Sequence, residues 1–155
     1  MVDKVKQGKK NKASGADFER RVRKDLTEKG WIVDKWGNQV EFTISNIRNE
    51  FKKTGELVKA KNKWAGPNRP MMMGAGFCDF IAFKYLGRAT FDKPRQDVYD
   101  VIGVECKVAK YLDKIEKEKC QWYLENNIFS KILIASKYKE KNRIKIKYEE
   151  FKYEI

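Results

Sequence analysis

Phe18, Val22 and Leu26 recur at i, i+4 and i+8 in a stretch otherwise rich in Lys, Arg, Asp and Glu. That is the apolar stripe of an amphipathic helix. The pattern predicts a helix over 15–29, opened by Ser14 as N-cap and closed by Gly30, with Arg20, Arg21, Arg23 and Lys24 on its wet face. A first strand is predicted over 31–36, stopped by Gly37-Asn38. Two runs, FCDFIAFKY over 77–85 and VYDVIGVECKV over 98–108, are apolar on both faces around their centres. Strands buried in mid-sheet have that pattern. A second helix is predicted over 112–125, with Leu112, Ile115, Cys120, Tyr123 and Leu124 inward. KILIAS over 131–136 is another buried strand, and the alternating RIKIKY over 143–148 is an edge strand or a hairpin partner. Over 40–63, Ile44, Ile47 and Phe51 suit a helix, which Leu57 and Val58 continue after Gly55. The stretch 64–76 holds Gly66-Pro67, Arg69-Pro70 and three methionines, Met71 to Met73, and is predicted to be a loop. A polar connection containing Pro94 spans 87–97.

The resulting order is helix, strand, insert, two strands, helix, two strands. It predicts an α/β domain built on a central mixed β-sheet flanked by helices. The 155 residues suffice for one ordinary domain. Residues 1–12 carry Lys4, Lys6, Lys9, Lys10 and Lys12 with few apolar neighbours and are expected to form a flexible basic arm. A single domain is expected over 13–155, with an insert at about 38–75. No internal repeat or low-complexity segment is evident.

Charge changes the picture most. The chain carries 35 basic and 22 acidic side chains, a net charge of +13. Such an excess makes the surface repel itself and favours a polyanionic partner, because neutralised phosphates release condensed counterions. No apolar run approaches the length of a membrane span, and the basic N-terminus lacks the apolar stretch of a secretory signal. Membrane partners are therefore not expected, and a cytoplasmic placement is. Cys78, Cys106 and Cys120 are widely spaced and the chain has no histidine. A structural zinc site and every histidine-based catalytic arrangement are excluded on that ground. The cysteines are expected to be small buried residues in a reducing compartment. Acid–base chemistry is left to carboxylates, Lys, Tyr or a bound metal.

Glu105 and Lys107 lie two apart on a predicted strand and so share a face. Both interrupt VIGVECKV, and Asp79 interrupts FCDFIAF in the same manner. Charges in such strands are costly unless they are paired or bind a metal. If the two strands pair antiparallel, Asp79 lies beside Glu105. A hard divalent cation would then relieve the repulsion between the carboxylates. Lys107 alongside would orient or help deprotonate water, or offset charge building on a phosphate.

Asp79 followed by Glu105-Cys106-Lys107 resembles the signature of the PD-(D/E)XK nuclease superfamily. GADFERRVRKDLTEKGWIVDKWG is similar to the opening of archaeal Holliday-junction resolvases, with Glu19 at the position of a helix glutamate that reaches the metal site. Gly15 and the Gly30-Trp31 turn also match. GVECKVAKYLDKIEKEKCQWY resembles the virus-type replication-repair nuclease domain, with Gln121 as the counterpart of a motif glutamine. The resemblance covers roughly 13–37 and 74–136. Cys78 stands where the motif has proline, and the motif serine after the first strand is not evident. The resemblance implies a restriction-endonuclease-like core and Mg²⁺- or Mn²⁺-dependent hydrolysis of DNA phosphodiesters. It implies Asp79, Glu105 and Glu19 as metal ligands, with Lys107 and Gln121 assisting, and a branched or structured DNA substrate cut by a homodimer.

Each residue also has a plainer explanation. Glu105 and Lys107 can form a simple ion pair, Asp79 can pair with a nearby lysine, and Glu19 can pair with Arg23 at i+4. Gln121 can be an ordinary exposed helix residue. Lys9, Lys10, Lys12, Arg20, Arg23, Lys61, Lys63 and Arg69 are candidate phosphate contacts or solvated charges. Trp64, in its Gly/Pro loop, is the best candidate for base stacking, ahead of Trp36 and Trp122. Met71 to Met73 suit a wedge, loop packing or a dimer contact. The rival functional readings are a non-catalytic DNA-binding protein on the same fold and a monomeric nicking or flap nuclease.

Overall fold

The computed structural model describes residues 4–47, 50–62, 64, 66–68, 74, 76–89, 96–108 and 111–153, with backbone alone at 4–6, 9, 10, 12 and 47. Lys63, Arg69 and Met71 to Met73 lie outside the described residues, as do the side chains of Lys9, Lys10 and Lys12.

The first helix, α1, spans Lys4–Glu28. It thus begins well before Gly15, and the basic segment expected as an arm is helical from Lys4. Lys, Gln and Ala are good helix formers and nothing in 4–14 stops a helix; the apolar stripe marks only the part that meets the core. Ser14 is inside the helix, and its hydroxyl takes a 3.3 Å hydrogen bond from Lys137 Nζ. Gly30, at φ +83°, makes the left-handed turn that ends the helical run.

Strand β1 (Ile32–Lys35) follows. Next come β2 (Asn38–Ile47) and β3 (Glu50–Lys59), paired antiparallel in a sheet of their own. The helix expected here is instead a β-hairpin. Val40, Phe42 and Ile44 alternate on one face, opposite Leu57, Gly55 and Lys53, so period two prevails over the sparse helical spacing. Gly55 allows the hairpin to dock on the second helix: a Cβ there would collide with the Trp122 indole.

The main sheet adds β4 (Phe80–Ala89), β5 (Gln96–Lys107), β6 (Lys131–Glu140) and β7 (Arg143–Glu150). Its order is β1-β4-β5-β6-β7. Only β5 and β6 run parallel, joined through α2 (Lys114–Glu125); the other pairs are antiparallel. The edge-strand reading of 143–148 thus resolves to β7, hairpinned to β6 through Lys141 and Asn142, both at positive φ.

The helices cover opposite faces. Phe18, Val22 and Leu26 of α1 pack on Phe80, Ala82, Ile102, Val104 and Ala135. Cys120 and Tyr123 of α2 pack with Cys78, Phe129, Ile132, Ile134 and Val40 of the hairpin. Each large apolar side chain fully buried this way contributes roughly 1.5–3 kcal/mol. Ile115, expected inward, is 60% exposed, because the buried face of α2 runs through Cys120 and Tyr123. No described helix is long and apolar enough to cross a membrane.

Candidate metal and catalytic centre

Asp79 immediately precedes β4, and Phe80 is in register with Val104 of β5. One step further, this antiparallel ladder sets Asp79 beside Glu105. Asp79 is anchored there by its own carboxylate, whose Oδ2 accepts the backbone N–H of Cys106 at 2.8 Å. Its direct partner is thus a backbone donor rather than a lysine. Glu105 is only 6% exposed. Lys107 Nζ stands 3.2 Å from Glu105 Oε1 and also donates to Glu116 of α2.

Burial raises the pKa of Asp79, and the charge of Glu19 adds to it against the Cys106 hydrogen bond. Burial, reinforced by the neighbouring Asp79, pushes Glu105 up to about 8. Two neighbouring carboxylates that both resist ionisation form a site where a cation is favourable. For Lys107, burial disfavours the ammonium, but the hydrogen bond to Glu116 and the charge of Glu105 outweigh it, and its pKa is raised. Lys107 is therefore a held cation at neutral pH.

No family model, curated protein or solved structure matches this chain.

The remaining candidates divide clearly. Glu19 lies close enough to Asp79 to raise its pKa, and its partner is Lys35 at 3.4 Å. The i+4 pair with Arg23 does not form: Arg23 donates to the Val33 carbonyl at 3.0 Å and lies 3.7 Å from Asp34. Gln121 is not brought to the cluster. It donates to Glu125 at 2.7 Å and lines a groove with Trp122 of the same helix and Phe42 and Lys53 of the docked hairpin. Residues 116, 120 and 123 share the inward side of α2, and 121 falls on the other side. Arg20 is tied to Asp17 at 2.5 Å, and Lys61 to Glu41 at 3.2 Å. Trp64 is 72% exposed. Trp36 donates from Nε1 to the Tyr123 hydroxyl at 3.2 Å and Trp122 packs beside Tyr123, so both are packing residues.

Glu116 is the site residue that the sequence reading missed. It is the third residue of α2, in its first turn, and forms a capping box with Asp113, each taking the other's backbone N–H. The signal was present as D-x-x-E before the helix. Its role at Lys107 depends on where α2 crosses the sheet, which the spacing does not specify. Tyr123 is a second such residue. Its hydroxyl donates to the Phe77 carbonyl, two residues before Asp79.

Among the described residues no group of three or more Cys, Asp and Glu side chains is placed to hold a metal ion. The donor set present is the pair Asp79 and Glu105, hard oxygen ligands of the kind Mg²⁺ takes. Mg²⁺ commonly uses one or two carboxylates and fills its remaining positions with water and substrate phosphate. The residues present therefore fit such an ion.

Proposed function

We propose that this chain is a metal-dependent DNA endonuclease of the PD-(D/E)XK type, with a restriction-endonuclease-like core. The observation that carries the reading is the placement of a half-buried carboxylate, Asp79, beside a buried one, Glu105, with Lys107 at 3.2 Å from Glu105. Asp79 and Glu105 would hold Mg²⁺ or Mn²⁺, and Glu19 would contribute from α1 on release from Lys35. The ion would polarise the scissile phosphate and supply a more acidic water. Lys107 keeps its proton and opposes charge growing on the phosphate, so it acts as an electrostatic stabiliser rather than a base. Glu116 fixes that ammonium in place. The net charge of +13 supports DNA as the polyanion.

Branched or structured DNA is the substrate class we favour, by resemblance to the junction resolvases, and a homodimer would deliver paired symmetric cuts. Lys9, Lys10, Lys12, Arg20, Lys61, Lys63, Trp64 and Arg69 are the proposed DNA contacts. Arg23 would assist from the same helix. One observation favours a second reading, a non-catalytic DNA-binding protein on the same fold: Lys107 is already paired with Glu105 and Glu116. A cleavage panel of four-way junctions, flaps and linear duplex in Mg²⁺, with solution mass in parallel, tests the proposal. Junction cleavage by a dimer supports it in full. Flap nicking by a monomer retains the chemistry and rejects the junction substrate. DNA binding without cleavage in Mg²⁺ or Mn²⁺ selects the second reading.

A further inference from the structure

Strand β5 ends at Lys107, in register with Ser136 of β6, which is in turn in register with Lys147 of β7. The other two strands do not stop there. They continue to Glu140 and back from Arg143, as a hairpin projecting beyond the catalytic end of the sheet. Register and alternation define what each face of this projection carries. On the α1 side, Lys137 lies 5.0 Å over the Phe18 ring and reaches Ser14. The opposite side continues the face on which Glu105 and Lys107 meet α2, and there the row Lys107, Ser136, Lys147 is followed by Tyr138 with Lys145, then by Glu140 with Arg143.

That extension lies past the cover of α2. Tyr138 is 40% exposed, and Glu140, Arg143 and Lys145 are exposed with it. Glu140, Lys141, Arg143 and Lys145 line a depression of about 420 Å³. Lys145 is paired with Glu140 and Lys147 with Glu149, which leaves Lys141 and Arg143 without an ion pair among the described residues. From the level of Ser136 to that of Glu140 the strands advance about 13 Å. That is the axial spacing of about four phosphates of one DNA strand.

We propose that this face of the β6–β7 hairpin is a DNA-backbone track leading to the Asp79–Glu105 cluster, with Lys141 and Arg143 as its outer phosphate contacts and Tyr138 and Lys145 further in. The proposal rests on the nuclease reading for its ligand, and it assigns the direction from which the strand approaches. Lys107 stands at the inner end of the track, so a backbone lying along it is delivered to the carboxylates.

The test measures binding of a fluorescein-labelled DNA duplex by anisotropy in EDTA, across a salt series, so that no cleavage is needed. Three proteins are compared: wild type, Lys141→Glu with Arg143→Glu, and a control of equal charge change at the opposite end of the sheet, Lys84→Glu with Arg88→Glu. The track variant is expected to bind roughly tenfold or more weaker, with its salt slope smaller by about two phosphate equivalents, while the control stays near wild type. Equal weakening of both variants, or of neither, overturns the track and leaves the nuclease reading standing. Wild-type protein that does not bind DNA at all overturns both. Circular dichroism melts of the three proteins exclude misfolding as the cause.

Discussion

Asp79 Oδ2 accepts the backbone N–H of Cys106 at 2.8 Å, and this one bond links the start of β4 to the strand that carries Glu105 and Lys107. It holds a carboxylate against a second, buried one. Each of the following expectations depends on that juxtaposition.

The pH dependence of stability follows from Glu105. Its pKa is raised from 4.5 to about 8 by burial and by Asp79, so the folded state keeps a proton that the unfolded chain releases. Stability from this group is fully present below about pH 4.5 and is lost as pH rises through about 8. In EDTA, thermal denaturation should show a midpoint that falls between those limits. Glu105→Gln should flatten the fall. Asp79→Asn should make the fall smaller and end it at lower pH, because removing the repelling charge lowers the pKa of Glu105. A wild-type midpoint independent of pH across this range would mean that the carboxylates are not coupled as described.

The same repulsion predicts metal-linked stability. A divalent cation that binds the folded state alone raises the melting temperature by mass action. Mg²⁺ or Mn²⁺ should stabilise the wild type more at pH 8 than at pH 5, since protons compete for the same oxygens. Calorimetry with the metal alone should show no such increment in Asp79→Ala. An equal increment in wild type and variant would place the ion elsewhere.

Much of this centre was legible in the sequence, and the reasons for success and failure are physical. Charges inside apolar strands are costly, so Asp79, Glu105 and Lys107 stood out, and period-two spacing put Glu105 and Lys107 on one face. The helix stripe of Phe18, Val22 and Leu26 and the sheet strands were equally readable. The hairpin was not: the alternation of Val40, Phe42 and Ile44 competes with the helical spacing of Ile44, Ile47 and Phe51, and its docking depends on a missing side chain at Gly55 meeting Trp122. Glu116 and Tyr123 were hidden for a related reason. Their site contacts cross between elements, and no local pattern encodes the angle at which α2 lies on the sheet.

Glu116 offers a way to separate position from charge. Glu116→Gln keeps an N3 side chain able to complete the capping box, so the loss of stability should be below about 1 kcal/mol. It removes a negative charge beside Lys107, whose pKa Glu116 helps raise, so the ammonium should deprotonate at lower pH. The alkaline limb of the cleavage rate should move to lower pH accordingly. Glu116→Ala should lose the box as well and melt lower than Glu116→Gln. An unmoved alkaline limb in Glu116→Gln would show that Lys107 is not held by this contact.

Tyr123→Phe tests the support of the Asp79 turn. Its hydroxyl serves both the Phe77 carbonyl and Trp36 Nε1 in the interior. Leaving two such groups unmet costs roughly 1–3 kcal/mol each when they stay dry. Denaturant unfolding should show a loss of that order, and cleavage should slow as the turn loosens. A change below about 0.5 kcal/mol would indicate that water replaces the hydroxyl without penalty.

Metal-dependent cleavage by wild type, Asp79→Ala and Glu105→Ala, with DNA binding recorded for each, tests the central claim most directly. The account predicts that wild type cuts in Mg²⁺ or Mn²⁺ and not in EDTA, and that both variants stay folded, bind DNA as before and do not cut. Cleavage that survives loss of either carboxylate, or a wild type that binds DNA and never cuts with either metal, would contradict it.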